Sequence, residues 1–261
     1  MKRLIGLTAL VMPLLLGAEQ ARAILIIDDY STPPGGQIAT DTTANGTPVK
    51  NSLGGLPVLG GSRELIVNKT GQVGSGAQPV KGSANEVNTS IFNFDQFSST
   101  AKGYAFLYYD GHPDGNLQKK GLADMNGVGV DLTQGGVNTG FVFQNLNVTG
   151  SGLKLTVNLY NGLSSLVFTS GPITLTNGMS GNFFLPYSSF SGAGGAGTPA
   201  NTGSIEILVD GRTAAGSDLT FSLIASAPSA VLPEPSTFIA GLIGGLGLLG
   251  FRRLRGARPA A

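Results

Sequence analysis

Strict alternation of apolar and polar residues limits what this chain can become more than any other feature. In Leu153-Lys-Leu-Thr-Val-Asn-Leu-Tyr160, the side chains of Leu153, Leu155, Val157 and Leu159 fall on one face. Lys154, Thr156, Asn158 and Tyr160 fall on the other. Successive side chains of a strand point to opposite sides of the pleat, so a period of two with one apolar face is a half-buried strand. Ile205, Ile207 and Val209 repeat the pattern, as do Leu219, Phe221 and Leu223. Asn161-Gly162, Asn177-Gly178 and Asp210-Gly211 punctuate the runs, and such pairs tolerate the positive φ of tight hairpins.

The same reasoning predicts strands over 24–28, 63–68, 87–94, 103–109, 127–132, 141–148, 165–169 and 182–185. No convincing amphipathic helix stands between them. Many short strands without helices indicate an all-β chain with a single β-sandwich, jelly-roll-like domain over 24–224. A β-helix is the rival, and the lack of a fixed-period repeat counts against it. Residues 33–59, rich in Gly, Thr, Asn and Pro, are expected to form a long surface excursion. Residues 191–199 are expected to be a flexible glycine-rich loop, and 225–232 a small-residue linker.

Charge excludes one class of partner. The net charge of +1 hides nine basic and thirteen acidic residues in the body, 24–230, whose longest basic cluster is Lys119-Lys120. Nucleic-acid binding needs clustered cations to displace phosphate counterions, so no nucleic acid is expected as a partner. The absence of cysteine removes thiolate chemistry and cysteine-held metal clusters. A single histidine, His112, removes any multi-histidine centre within one chain.

The two ends read as an address. Lys2 and Arg3 precede an apolar run, and Ala21-Arg22-Ala23 is a small-x-small cleavage site, so residues 1–23 form a signal peptide, with Ala21 and Ala23 marking the cut. Near the other end, Pro233-Glu234-Pro235 restricts the backbone to an extended shape. An uncharged, glycine-rich run follows to Phe251, then Arg252, Arg253, Arg255 and Arg258. About 16 helical residues reach about 24 Å, a marginal membrane span. The arginines stop transfer on the cytoplasmic side and leave the body outside.

In that order, these features resemble a PEP-CTERM sorting signal, over 233–258. Pro233, Glu234 and Pro235 match the tripeptide, 237–251 the transmembrane helix, and Arg252, Arg253 and Arg255 the basic stop. The resemblance implies export from a Gram-negative cell and transient anchoring in the inner membrane with the body in the periplasm. It implies two processing partners, signal peptidase and an exosortase, before arrival at the cell surface or outside it. Leu232 stands where many such signals have Val.

The body carries weaker signals. Its ends, with Asp28 and Asp29 at one and Asp210 at the other, resemble carbohydrate-binding jelly rolls whose terminal acids meet around a structural calcium. No other cofactor is expected. Asp110, Asp114 and Gly115 fit three positions of a calcium loop, but His112 and Gly121 occupy ligand positions, so a polar turn fits better. No nucleophile motif surrounds His112. Tyr104, Phe106 and Tyr108 share one strand face; they form either a sugar-stacking platform or part of the core, and the core is the expected place. Three functions stay open: a non-catalytic surface or matrix protein, a module engaging extracellular polysaccharide, and a glycan-active enzyme. The first is favoured.

Overall fold

The computed structural model describes residues 24–44, 46–72 and 78–229, and the chain divides at Ser229/Ala230. The signal peptide, the Pro-Glu-Pro tripeptide, the apolar run and the arginines all lie outside the described residues.

The described chain is a β-sandwich. Its strands are β1 (Leu25–Asp28), β2 (Gln37–Asp41), β3 (Val49–Gly54), β4 (Ser62–Gln72), β5 (Val80–Ala84), β6 (Phe92–Gln96), β7 (Ala101–Tyr109) and β8 (Gly140–Thr149). They continue with β9 (Lys154–Asn161), β10 (Val167–Thr169), β11 (Ile173–Thr174), β12 (Ser180–Pro186), β13 (Thr202–Asp210), β14 (Asp218–Phe221) and β15 (Leu223–Ala227). One sheet runs β1-β15-β8-β14-β6-β5-β2, with β12 also on β8; the other runs β10-β9-β13-β7-β4-β3, with β11 on β9. The strand pairs are antiparallel.

The alternation of β9 holds residue by residue: Leu155, Val157 and Leu159 are buried, while Lys154, Thr156, Asn158 and Tyr160 are half-exposed on the outer face. Ile205, Ile207 and Val209 face inward beside them. From the opposite sheet come Phe92, Phe94, Phe143 and Phe221, the last packed on Phe92 at 4.9 Å and on Phe143 at 5.4 Å between ring centroids. Each fully buried ring contributes roughly 1.5–3 kcal/mol by leaving water.

Several expectations need correction. Leu223 does not continue the inward row of Leu219 and Phe221; the strand breaks at Ser222 and Ile224 takes the core position. Residues 33–59 are not a plain excursion, because they hold β2 and β3. Residues 87–91 are not strand: Val87 and Asn88 adopt left-handed φ of 57° and 58°, and β6 starts at Phe92. Residues 127–132 contribute an isolated bridge, Val130 to Thr202. In the 191–199 loop Thr198 and Pro199 are buried, and Ala225–Ala227 extend β15 rather than open a linker.

One polar cluster lies between the sheets. Arg63 on β4 and Asp28 on β1 are both fully buried. Arg63 Nη1 donates to both oxygens of Asp28, at 2.9 and 2.7 Å, Nη2 donates to Thr32 O at 2.6 Å, and Nε donates to Gln37 Oε1 at 2.7 Å. The Tyr109 hydroxyl donates to Asp28 Oδ2 at 2.9 Å. Both charges of this cluster therefore have partners, which is the condition for tolerating them.

Candidate functional site: an aromatic trough on the outer sheet face

Along β7 the buried residues are Ala101, Gly103, Ala105, Leu107 and Tyr109. Tyr104, Phe106 and Tyr108 therefore point outward, half-exposed, which overturns their expected place in the core. Both parities of this strand are apolar, so periodicity alone does not choose between its faces. The decision comes from β4 and β13: Leu65 and Val67, with Ile207 and Val209, fix the inner register.

Neighbouring strands arrange the outer face in rows. The middle row runs Ile66, Phe106, Leu208, Thr156. One flanking row is Glu64, Tyr108, Glu206, Asn158, and the other is Asn68, Tyr104, Asp210, Lys154. An apolar floor thus lies between two rows that carry carboxylates and amides. Phe106 sits 5.3 Å from Tyr104 and 5.5 Å from Tyr108 between centroids, at 74° and 42° between planes. Successive rows are about 6.7 Å apart, so three aromatic side chains cover about 13 Å of strand.

Both ends of this floor are walled. At the Tyr104 end, the Arg212 guanidinium lies over the ring at 5.2 Å and pairs with Asp210 at 2.7 Å. At the Tyr108 end, the 110–120 loop crosses the sheet. Its Gly115 N–H donates to Glu64 Oε1, and Lys50 Nζ donates to Gly115 O at 2.5 Å. Its Lys119 ammonium lies 5.2 Å from the Tyr160 ring centre. The loop is shaped by its own carboxylates: Asp110 accepts from the backbone N–H groups of His112 (3.0 Å) and Gln118 (2.6 Å), and Asp114 accepts from that of Asn116 (2.8 Å).

Titration follows burial. Burial, then the charge of Glu206, pushes the Tyr160 hydroxyl up to about 12 and raises Tyr108 as well. Burial also raises Glu206, against the opposing hydrogen bond from Asn158 Nδ2 at 2.6 Å and the Lys119 charge. Burial works to raise Asp210, but the hydrogen bonds from Arg212 outweigh it and hold the carboxyl low. The trough therefore offers ionised Asp210 and Arg212 at one end and the neutral phenols of Tyr108 and Tyr160 at the other.

No protein-family model matches the chain, and no curated protein matches it. Among solved structures, it is similar to the family 11 carbohydrate-binding module of a cellulosomal cellulase of Clostridium thermocellum, at 10% identity over 79% of this chain and 96% of that chain, with a TM-score of 0.35. It is similar to a family 30 carbohydrate-binding module of a cellulosomal cellulase of Clostridium thermocellum, at 12% identity over 80% and 99%, TM-score 0.38. An agarase matches at 11% identity over 80% of this chain and 25% of its own, TM-score 0.37. Likenesses this loose carry no functional weight. The chemistry of the trough rests on this chain's own residues.

The structure does not bring the calcium candidates together. Asp28 is committed to Arg63, Asp29 accepts from the Ser31 N–H and hydroxyl at 3.0 and 2.7 Å, and Asp210 is held by Arg212 beside Tyr104. Among the described residues no group of three or more metal-ligating side chains converges. His112 is exposed in the 110–120 loop, its Nδ1 3.1 Å from Asp110 O. Ala21, Ala23, Pro233, Glu234, Pro235, Arg252, Arg253 and Arg255 lie outside the described residues. Sequence reasoning did not gather Glu206, Asn158 and Arg212 around the aromatic row. The polar parity of 154–160 was the available signal for Asn158 and Tyr160; Arg212 had none.

Proposed function

We propose that the domain is a non-catalytic carbohydrate-binding sandwich that lays an extracellular polysaccharide along the Tyr104–Phe106–Tyr108 row. The carrying observation is the outward exposure of three consecutive same-face aromatics flanked by carboxylate and amide rows. Sugar rings present apolar C–H faces, which stack on aromatic rings, and rims of hydroxyls, which need acceptors and donors beside the stack. The Asp210–Arg212 pair and the half-exposed Asn158 supply those partners. The chain contains no tryptophan, so tyrosine and phenylalanine carry all the stacking.

Hydrolysis is not supported at this site. Glu64 and Glu206 flank Tyr108 as a paired acid and base would flank a glycosidic bond. Glu64 is fully buried, with Oε1 taken by the Gly115 amide, and does not reach a substrate oxygen.

Delivery completes the proposal. The two terminal segments support export through a signal peptide and handling by signal peptidase and an exosortase, with release at the surface or outside the cell. A glycan array, with and without calcium, tests the binding reading: retention on at least one polysaccharide, lost on Phe106→Ala, is expected. No retention on any glycan leaves only a surface protein without a sugar partner.

A further inference from the structure

The outer face of the other sheet carries a cavity of about 290 Å³, lined among others by Ser83, Glu86, Val87, Ile91, Asn93 and Thr220. Register places Ser83, Asn93 and Thr220 in one row across β5, β6 and β14. Ser83 is 1% exposed, and its hydroxyl faces the Glu86 carboxylate.

The rim is held against its own backbone preference. Asn85, Val87, Asn88 and Ser90 all have positive φ. Asn85 Nδ2 donates to Ser31 O (2.8 Å) and Pro33 O (2.9 Å), Ser90 N donates to Asn85 Oδ1 (2.9 Å), and Gly35 N donates to Asn88 Oδ1 (3.0 Å). A β-branched residue at φ 57° is an outlier that persists only where surrounding bonds over-determine it. Here those bonds hold Val87 79% exposed at the cavity edge. Lys81 Nζ meets Glu86 Oε1 at 2.5 Å, which fixes the direction of the carboxylate.

We propose that this cavity is a second ligand site, which takes one neutral sugar unit, a chain end or a branch. Its volume lies near the lower end of the roughly 300–1,000 Å³ of small-molecule sites, which suits one ring. Hydroxyl and amide groups on the floor, a fixed carboxylate at the side and an apolar rim of Val87 and Ile91 match a ring with hydroxyl edges and a C–H face. With the trough on the opposite face, one domain then holds two glycan segments; only this consequence rests on the trough reading.

The test is saturation-transfer NMR on the purified full-length chain in detergent, with free glucose, galactose, mannose and N-acetylglucosamine as probes. At least one is expected to bind with a Kd on the order of millimolar. Asn93→Leu and Thr220→Val should each weaken it about tenfold or more, while Phe106→Ala leaves it unchanged. Circular dichroism melting checks that each variant folds. Absence of binding by all four sugars, or binding that follows Phe106 and ignores both Asn93 and Thr220, overturns the site. Loss of polysaccharide retention with monosaccharide binding intact indicts the trough instead.

Discussion

Arg63 grips Asp28 through both carboxylate oxygens, at 2.9 and 2.7 Å, with both side chains sealed between the two sheets. The pair joins β4 of one sheet to β1 of the other, and Tyr109 adds a hydrogen bond to the same carboxylate. Removing one partner leaves an unpaired buried charge, which costs about 3–5 kcal/mol. Arg63→Met or Asp28→Leu alone should lower urea stability by that amount. The double variant should recover much of the loss, because neither charge is then stranded. A loss in the double variant equal to the sum of the two single losses would show that the pair is not coupled.

Glu64 gives the domain a pH dependence. Burial, followed by the charges of Asp110 and Asp114, raises its carboxyl from 4.5 to about 7; the Gly115 hydrogen bond opposes this without overcoming it. The folded state therefore favours the protonated form. That contribution is complete below pH 4.5 and is lost as pH rises through about 7. Midpoints of urea unfolding should fall across this window for the parent chain. Glu64→Gln should flatten that part of the curve, and an unchanged slope in the variant would assign the dependence to another group.

Val87 carries strain without burial. Its φ of 57° is unfavourable for a β-branched side chain that is 79% exposed. Asn tolerates this conformation, so Val87→Asn should stabilise the domain by about 0.5–1 kcal/mol, measured by thermal unfolding. A loss of stability would mean that the Val87 side chain has a packing role in the folded chain.

The processing proposal has its own readout. Mass spectrometry of the mature protein from its host should find ends near Ile24 and near Pro233. An intact chain through Ala261 in wild-type cells would count against the exosortase reading.

Legibility in the sequence followed how much each strand's two faces differ. Leu153 to Tyr160 declares its face because one parity is aliphatic and the other polar. The 101–109 strand does not, because Tyr104, Phe106 and Tyr108 alternate with Ala105, Leu107 and Tyr109. Its orientation is set by the inward partners Leu65 and Val67 on one side and Ile207 and Val209 on the other, which only the register supplies. Arg63 was equally hidden: a charge in a strand reads as outward until Asp28, far away in sequence, meets it. The turn at 85–90 depends on Asn85 reaching the carbonyls of Ser31 and Pro33, a tertiary contact that no local pattern announces.

The most direct test is affinity electrophoresis of the full-length protein through gels containing the host's extracellular polysaccharide, with Phe106→Ala and Tyr104→Ala beside the parent chain. Phe106 is half-exposed and its removal opens no core cavity, so the variants should melt within about 1 kcal/mol of the parent. The parent chain should be retarded, and each variant should lose about tenfold or more in affinity, as expected for a stacking anchor. Equal retardation of all three folded proteins, or of none, would contradict the assignment of the aromatic row to sugar binding.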